Sequence, residues 1–436
     1  MYDRGRRRMI MSNTQQEVMQ FIKEQDVRFA RLVFCDIFGQ IKNISISASE
    51  LERAFSSGIS FDASSVKGFL EVEESDLLLF PDPATLSILP WRPAQGRVVR
   101  FFCSIKKPDG TIFEGDTRSL LQETVRKASL QGYSFTVGPE CEFYLFKTDE
   151  NGRPTYQPLD EGTYLDVAPL DKGENVRREI CLTLEQMGFY TERSHHESGP
   201  GQNEIDFKYG TPVEAADDFI TFKSVVKTIS DRSGLFASFL PKPLQGESGS
   251  GLHFNLSIKA EGEQYSKLEK AMSAGILNRI QEISLFLNPL ANSFERLGSF
   301  EAPKYVGWGR ANRSLLIRIP YTSGEYRRIE VRSADPACNP YLAITLLLSA
   351  ALEGIRGNLP LEEEYQGSAY QKQTGRMLPS SLAEAMELAK NSEFVQSNIP
   401  DRLLTCFLDA KGAEWRSYET AVDPFEASRK AYFLTM

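Results

Sequence analysis

Only three histidines occur in the chain, His195, His196 and His253, and no CxxC pair accompanies them. The six cysteines, Cys35, Cys103, Cys141, Cys181, Cys338 and Cys406, are scattered, mostly in apolar surroundings. That pattern excludes a thiolate zinc cluster and a disulfide framework, and it fits the reduced thiols of a cytoplasmic protein. Positive charge is also short: 50 lysines and arginines stand against 59 acidic residues, a formal charge of -9. Nucleic-acid binding needs a basic face for the phosphates, so small molecules are the expected partners instead. The longest apolar stretch, YLAITLLLSAALEGI from Tyr341, is shorter than a bilayer-spanning helix and carries Thr and Ser. It reads as a buried helix, with no membrane role. GSGLH (249–253) lacks the GK[ST] element of a P-loop, so a bound nucleotide would have to be held by metal and arginine. The N-terminal stretch MYDRGRRRMIMSNT is basic without a following apolar segment, which does not read as a secretory signal, and Met9 or Met11 is an alternative start.

What the chain does have is enough material for more than one domain: 436 residues, 41% hydrophobic and 25% charged. Residues 14–25 have a helical pattern, and RFARLVFCDIFGQIKNISI (28–46) reads as a hairpin turning at a glycine. A small sheet domain, 14–108, is expected to run through VVRFFCSI and to end at the PDG turn of 108–110. A larger domain, 113–436, starts with the helix TRSLLQETVRKASLQG, alternates strands with long helices, and becomes mostly helical after Ser381. No long disordered linker separates the two, so close packing is expected.

Strand residues alternate faces, and several segments carry a polar face opposite an apolar one. In GPECEFYLF, Glu140 and Glu142 oppose Cys141, Phe143 and Leu145. In GLHFNLS, His253, Asn255 and Ser257 oppose Leu252, Phe254 and Leu256. In YRRIEVRS, Arg328, Glu330 and Arg332 oppose Ile329 and Val331, and SHHESGPGQNEID (194–206) ends with Gln202 and Glu204 against Ile205. Singly, each is an ordinary solvated strand face. If Glu140, Glu142, Glu197, Glu204 and Glu330 converge, five carboxylates share a cavity, and they cannot all stay ionised without cations. Oxygen ligands with one imidazole suit Mg²⁺ or Mn²⁺. Arg296, Arg313, Arg318, Arg328 and Arg332 add planar donors for carboxylate and phosphate, and metals with arginines are the equipment of phosphoryl transfer.

These segments, with NSFERL, FEAP, ANRSLLIRIP, RRIEVRSADPACNPY and FDASSVKGF, resemble the type I glutamine synthetase family in its own order, across nearly the whole chain. The resemblance implies an α+β protein, with a small β-grasp domain before a catalytic domain built on a curved antiparallel sheet. It implies glutamine formation from glutamate, ammonia and ATP through a γ-glutamyl phosphate, with two Mg²⁺ or Mn²⁺ ions per site. By that likeness Glu142, Glu197 and Glu204 would hold one ion, and Glu140, His253 and Glu330 the other, while His195 and His196 support them. Arg296, Arg332, Tyr164 and the loop at Gly249 would serve glutamate. Glu192, Tyr209 and Ser257 would lie on the nucleotide side, where Arg313, Arg318 and Arg328 neutralise phosphate charge. Asp62 would bind ammonium and Glu301 would close over the acyl phosphate. In the family the small domain completes the site of the next subunit in a ring, which implies a homo-oligomer, a dodecamer of two stacked hexamers.

The sequence also departs from the family pattern. Ser248 stands where asparagine is usual, the flap RLGSFE is one residue shorter than RLVPGYE, and Ala63 replaces a glycine after Asp62. Glu71 stands where some short relatives carry a regulatory arginine. The segment GNLPLEEEYQGSAYQKQTGRMLP lacks the usual Pro-rich NIY region, and no adenylylation tyrosine is recognisable. Three readings therefore stay open: glutamine synthetase, a γ-glutamyl ligase for a larger amine, and a non-catalytic sensor of glutamate or nucleotide. A metal-dependent hydrolase would leave the arginines without a purpose.

Overall fold

The computed structural model describes residues 14–371 and 375–436. The basic N-terminal run and both alternative start methionines lie outside them. The first helix, Gln15–Glu24, begins with a capping box in which Thr14 and Glu17 satisfy each other's backbone donors. Strands β1 (Val27–Cys35) and β2 (Ile41–Ser47) form the expected antiparallel hairpin. They are followed by β3 (Ile59–Asp62), β4 (Asp76–Pro81), β5 (Ser87–Ile88) and β6 (Arg97–Lys106). The sheet order is β2-β1-β6-β4-β3 with β5 beside β6, and β1 lies parallel to β6 within an otherwise antiparallel set.

The second sheet contains β7 (Phe135–Thr148), β8 (Pro154–Pro158), β9 (Thr191–His196), β10 (Gln202–Phe207), β11 (Leu235–Ser238), β12 (Leu252–Ile258), β13 (Trp308–Arg310), β14 (Ile317–Ile319) and β15 (Ile329–Val331). Its order is β13-β14-β15-β12-β7-β10-β9, with β8 and β11 against β7. The expected antiparallel pattern holds except at one end, where β13 and β14 run parallel with Trp308 opposite Ile317. The apolar face of β7 and β12 is fully buried at Cys141, Phe143, Leu145, Leu252, Phe254 and Leu256. Phe143 packs on Phe222 of the helix Pro212–Arg232 at 6.0 Å between ring centroids, and on Phe239 at 5.7 Å. Each fully buried ring contributes roughly 1.5–3 kcal/mol. A one-residue slip would turn that face outward, so the apolar side locks the register that places the polar side.

The stretch from Tyr341 is the expected buried helix, Pro340–Gly357, and four further helices follow Ser381. Asn339 ties this helix to the first hairpin. Its side-chain oxygen caps Tyr341 N at 3.0 Å, while its amide donates to Ile37 O at 3.1 Å. Gly39, at a φ of 78°, comes so close to Asn339 that an added Cβ would sit 2.8 Å from its Cα. The hairpin turn therefore needs glycine for conformation and for contact. Nearby, Arg118 of the helix Thr117–Leu130 is buried against Asp217 of the helix Pro212–Arg232 at 2.9 Å and reaches Asp82, just after β4, at 3.0 Å, a second link between the first sheet and the helices of the larger part.

The helices Gly262–Leu287 and Pro340–Gly357 cross with Gly275 facing Gly354. A Cβ on Gly354 would lie 2.0 Å from Ala271 O, and one on Gly275 would lie 2.1 Å from Ala350 O. Helix propensity alone favours Gly354→Ala by about 1 kcal/mol, whereas overpacking a backbone crossing costs about 1–3 kcal/mol or more. Overpacking should win, and urea unfolding should show Gly354→Ala less stable than the parent. A stabilised variant would mean that the helices can separate without cost.

Candidate active site

Strand pairing gathers the polar residues one by one. On β7, Glu140 lies opposite His253 of β12 and opposite Asp206 of β10, while Glu142 lies opposite Glu204. On β15, Glu330 lies opposite Asn255 of β12 and Arg318 of β14. The result is a cavity of about 440 Å³ whose walls include Glu140, Glu142, Glu197, Glu204, His253 and all five arginines named above. Tyr164, Gly249 and Glu301 complete its rim. A small adjoining cavity of about 50 Å³ is bordered by Glu192, Tyr209, Ser257 and Arg328.

Among the described residues three groups of ligand-type atoms, each within 4.8 Å of one another, draw on residues of this cavity: Glu140 with His253 and Glu330, Glu197 with Glu204 and His195, and Glu140 with Glu204 and Asp206, where Glu330 and Asp206 lie behind the cavity walls. The first is the trio implied by the resemblance, with His253 Nδ1 3.6 Å from Glu140 and 3.7 Å from Glu330. The second differs from it. His195 Nε2 is 2.9 Å from Glu197, whereas Glu142 accepts hydrogen bonds from Gln202 Nε2 at 3.0 Å and Gly251 N at 2.9 Å. His196 is buried away from the cavity, with Nε2 2.8 Å from Asp160.

The guanidinium groups also have set positions. Arg332 donates to Glu330 at 2.5 Å, and Arg318 donates to the other Glu330 oxygen. Arg328 donates to Asn255 Oδ1 at 2.8 Å, and Asn255 in turn donates to Glu140 at 2.9 Å. Arg296 is buried and donates to Ser333 O at 2.9 Å. Gly249 and Gly251 are forced to be small here. A Cβ on Gly249 would approach Arg296 Cγ to 2.7 Å, and one on Gly251 would reach Arg296 Nη2 at 2.8 Å and His253 Nε2 at 2.9 Å. Arg313 reaches the cavity beside Tyr164, whose ring meets His195 edge-on at 5.6 Å. Ser257 Oγ donates to Arg327 O at 2.7 Å.

Two residues stand apart. Glu301 is two-thirds exposed, with its carboxylate 3.7 Å from Arg332, and it follows Phe300, which adopts a φ of 53°. Asp62, at the end of β3, is exposed and does not border the cavity within this chain. Ser64 Oγ at 2.6 Å and Ser65 Oγ at 2.9 Å hold its carboxyl below the usual range.

Sequence reading missed Arg193 and Asp206. Asp206 continues the alternation Gln202–Glu204 and was readable from it. Arg193 was not, because only the β9–β10 pairing sets it opposite Asp206, with Nη2 2.6 Å from that carboxylate.

The electrostatics of the carboxylates test whether cations belong here. Burial pushes the Glu142, Glu204 and Asp206 carboxyls up, and neighbouring acids add to it: Glu197 for Glu142, Asp206 for Glu204, Glu140 for Asp206. Burial also opposes ionisation of Glu140, but the His253 and Asn255 hydrogen bonds outweigh it and bring that carboxyl down to about 2. A set of buried carboxylates that resist sharing negative charge, with imidazole and no thiolate, is a donor set that fits hard divalent cations. Among the described residues no helix is long and apolar enough to cross a membrane, and all six cysteines are free thiols.

Comparison with known proteins agrees with this chemistry. The family description "Glutamine synthetase, catalytic domain" matches residues 114–430, and "Glutamine synthetase, beta-Grasp domain" matches residues 26–108. The chain is 44% identical over 431 residues to a glutamine synthetase of Clostridium saccharobutylicum, covering 95% of this chain and 97% of the relative. It is 45% identical over 434 residues to one of Methanosarcina mazei, with the same coverage. Among solved structures it is similar to a GmaS/ADP complex, with a TM-score of 0.84 and 25% identity over 95% of this chain and 99% of that one. A ligand-free GmaS structure matches at a TM-score of 0.85 and 26% identity, over 96% of this chain and 99% of that one. The chain belongs to the glutamine synthetase family of ATP- and divalent-metal-dependent ligases.

Proposed function

We propose that this protein forms glutamine from glutamate, ammonia and ATP through a γ-glutamyl phosphate. The observation that carries the reading is the convergence on one cavity of the polar faces of β7, β10 and β12 with Arg328 and Arg332, which flank β15. Glu140, His253 and Glu330 would hold one Mg²⁺ or Mn²⁺, and Glu142, Glu197 and Glu204 the second, supported by His195. When bound, such ions neutralise phosphate charge and ease the meeting of two anions.

The chain's own groups do the rest. Arg296 and Arg332, both buried, grip the glutamate carboxylates, assisted by Tyr164 and the backbone at Gly249. Glu192, Tyr209 and Ser257 seat the nucleotide, and Arg313, Arg318 and Arg328 spread the charge of the transferred phosphoryl group. The side-chain carboxylate of glutamate attacks the γ-phosphorus and ADP departs. Asp62 of a neighbouring subunit binds ammonium and helps to take its proton. Ammonia attacks the acyl carbon, and phosphate leaves carrying one former carboxylate oxygen. Glu301 shields the acyl phosphate from water and accepts a proton from the adduct. In this reading residues 14–108 and 113–436 act as separate domains, and the assembly is a dodecamer of two stacked hexamers.

A second reading, a γ-glutamyl ligase for a larger amine, is favoured by Ser248 and by the short loop between Arg296 and Glu301. Phosphate release from ATP, glutamate and Mg²⁺ separates the two. Glutamine synthetase activity requires that ammonium raise the rate; a much higher kcat/KM with a monoamine or diamine would transfer the assignment to the second reading. Ligand binding without turnover on any amine would leave a sensor.

A further inference from the structure

We infer that Gln202 and Tyr144 are positioning residues that hold the amino-acid end of the cavity in register with the Glu197 turn. They are direct cross-strand neighbours on β10 and β7. Both are buried, and both reach the same two turns, residues 197–201 and 248–251. The Gln202 amide makes three hydrogen bonds: Nε2 donates to Glu142 at 3.0 Å and to Gly249 O at 3.2 Å, while Oε1 accepts from Gly199 N at 2.9 Å. The Tyr144 hydroxyl donates to Ser248 O at 2.5 Å. It also lies against the other turn, since a Cβ on Gly199 would sit 2.0 Å from the hydroxyl oxygen. Gly199 does not have a positive φ, so glycine is required there by that approach.

This arrangement gives the two turns a common reference. The 248–251 loop touches Arg296 through Gly249 and Gly251, so a shift of the loop moves the surface that faces glutamate. The 197–201 turn carries Glu197. Neither Gln202 nor Tyr144 has to touch substrate to set the distance between them. The Tyr144 ring is itself fixed from behind, stacked on Phe146 at 5.8 Å, which meets Phe433 edge-on at 5.1 Å. Replacing the tyrosine by phenylalanine therefore removes the hydroxyl while retaining the packing.

The inference rests on the ligase reading for its substrate, so its test has an arm that does not. Hydrogen–deuterium exchange on the full-length protein should show Tyr144→Phe faster in both segments, 197–201 and 248–251, although its only lost hydrogen bond lies in the second. Gln202→Met should do the same. Losing its one hydrogen bond, Tyr144→Phe should weaken glutamate binding about three- to tenfold, and Gln202→Met, which loses three, at least as much, both measured directly by calorimetry, with ADP affinity within about twofold of the parent. Equal loss of glutamate and ADP affinity would reassign both residues to general stability. Unchanged exchange in the 197–201 segment of Tyr144→Phe would break the link between the turns. A parent protein that binds no glutamate would overturn the ligase reading, and the exchange result would still decide the coupling.

Discussion

Glu330→Ala should abolish phosphate release, with a loss of about 10²–10³-fold or more in kcat. Glu330 is fully buried between Arg332 and Arg318, and the same carboxylate faces His253 and Glu140. Removing it would take a ligand from one proposed ion and leave a buried guanidinium without its counter-charge. The second effect is structural. Breaking a buried pair by deleting one partner costs about 3–5 kcal/mol, so the variant should unfold at lower urea. Glu330→Gln keeps the shape and isolates the charge. The pH dependence follows from the direction of the shift. Burial pushes the Glu330 carboxyl up, but Arg332, His253 and Arg318 prevail and hold it below its ordinary value. Its stabilisation is therefore complete above a pH of about 4.3 and is lost as the pH falls through the lower folded value. The parent should lose stability in that acid window more steeply than Glu330→Gln. Near-normal turnover by a folded Glu330→Ala protein would sink the metal assignment.

Asp62→Ala and Glu301→Ala should each be nearly inactive alone, yet regain activity together. Asp62 does not border the cavity of its own chain, whereas Glu301 stands at its rim. If the cavity is completed by the next subunit of a closed ring, a site needs Asp62 from one chain and Glu301 from its neighbour. Co-expression at equal levels then leaves about a quarter of the sites with both residues, when subunits assort at random. Activity near a quarter of the parent's should return. Mixed oligomers that stay as inactive as either variant would show that Asp62 does not act across an interface.

The polar-faced strands were legible because strand geometry turns a two-residue period directly into a shared face. Glu140 with Glu142, His253 with Asn255, and Arg328 with Glu330 and Arg332 could be read in this way, and pairing then brought them together. What the period does not encode is the rotamer at the end of the side chain. Glu142 shares a face with Glu140 but turns to Gln202 and Gly251, and His195 takes a place beside Glu197 and Glu204. Pairing partners were equally hidden. Arg193 meets Asp206 only because of the β9–β10 register, and the parallel β13–β14 pair leaves no trace in two three-residue strands. The small sheet was readable at its hairpin, where Gly39 marks the turn, but the contact of that turn with Asn339 spans 300 residues and has no local signal.

The most direct test follows one oxygen. Glutamate labelled with ¹⁸O in both side-chain carboxylate oxygens is incubated with ATP, Mg²⁺, ammonium and the full-length protein, and the released phosphate is examined by mass spectrometry. Transfer of the γ-phosphoryl group to that carboxylate requires one ¹⁸O in each phosphate formed with glutamine, the second remaining in the amide. Phosphate free of label, with both atoms retained in glutamate, would show that ATP is cleaved by water and would contradict the acyl-phosphate account.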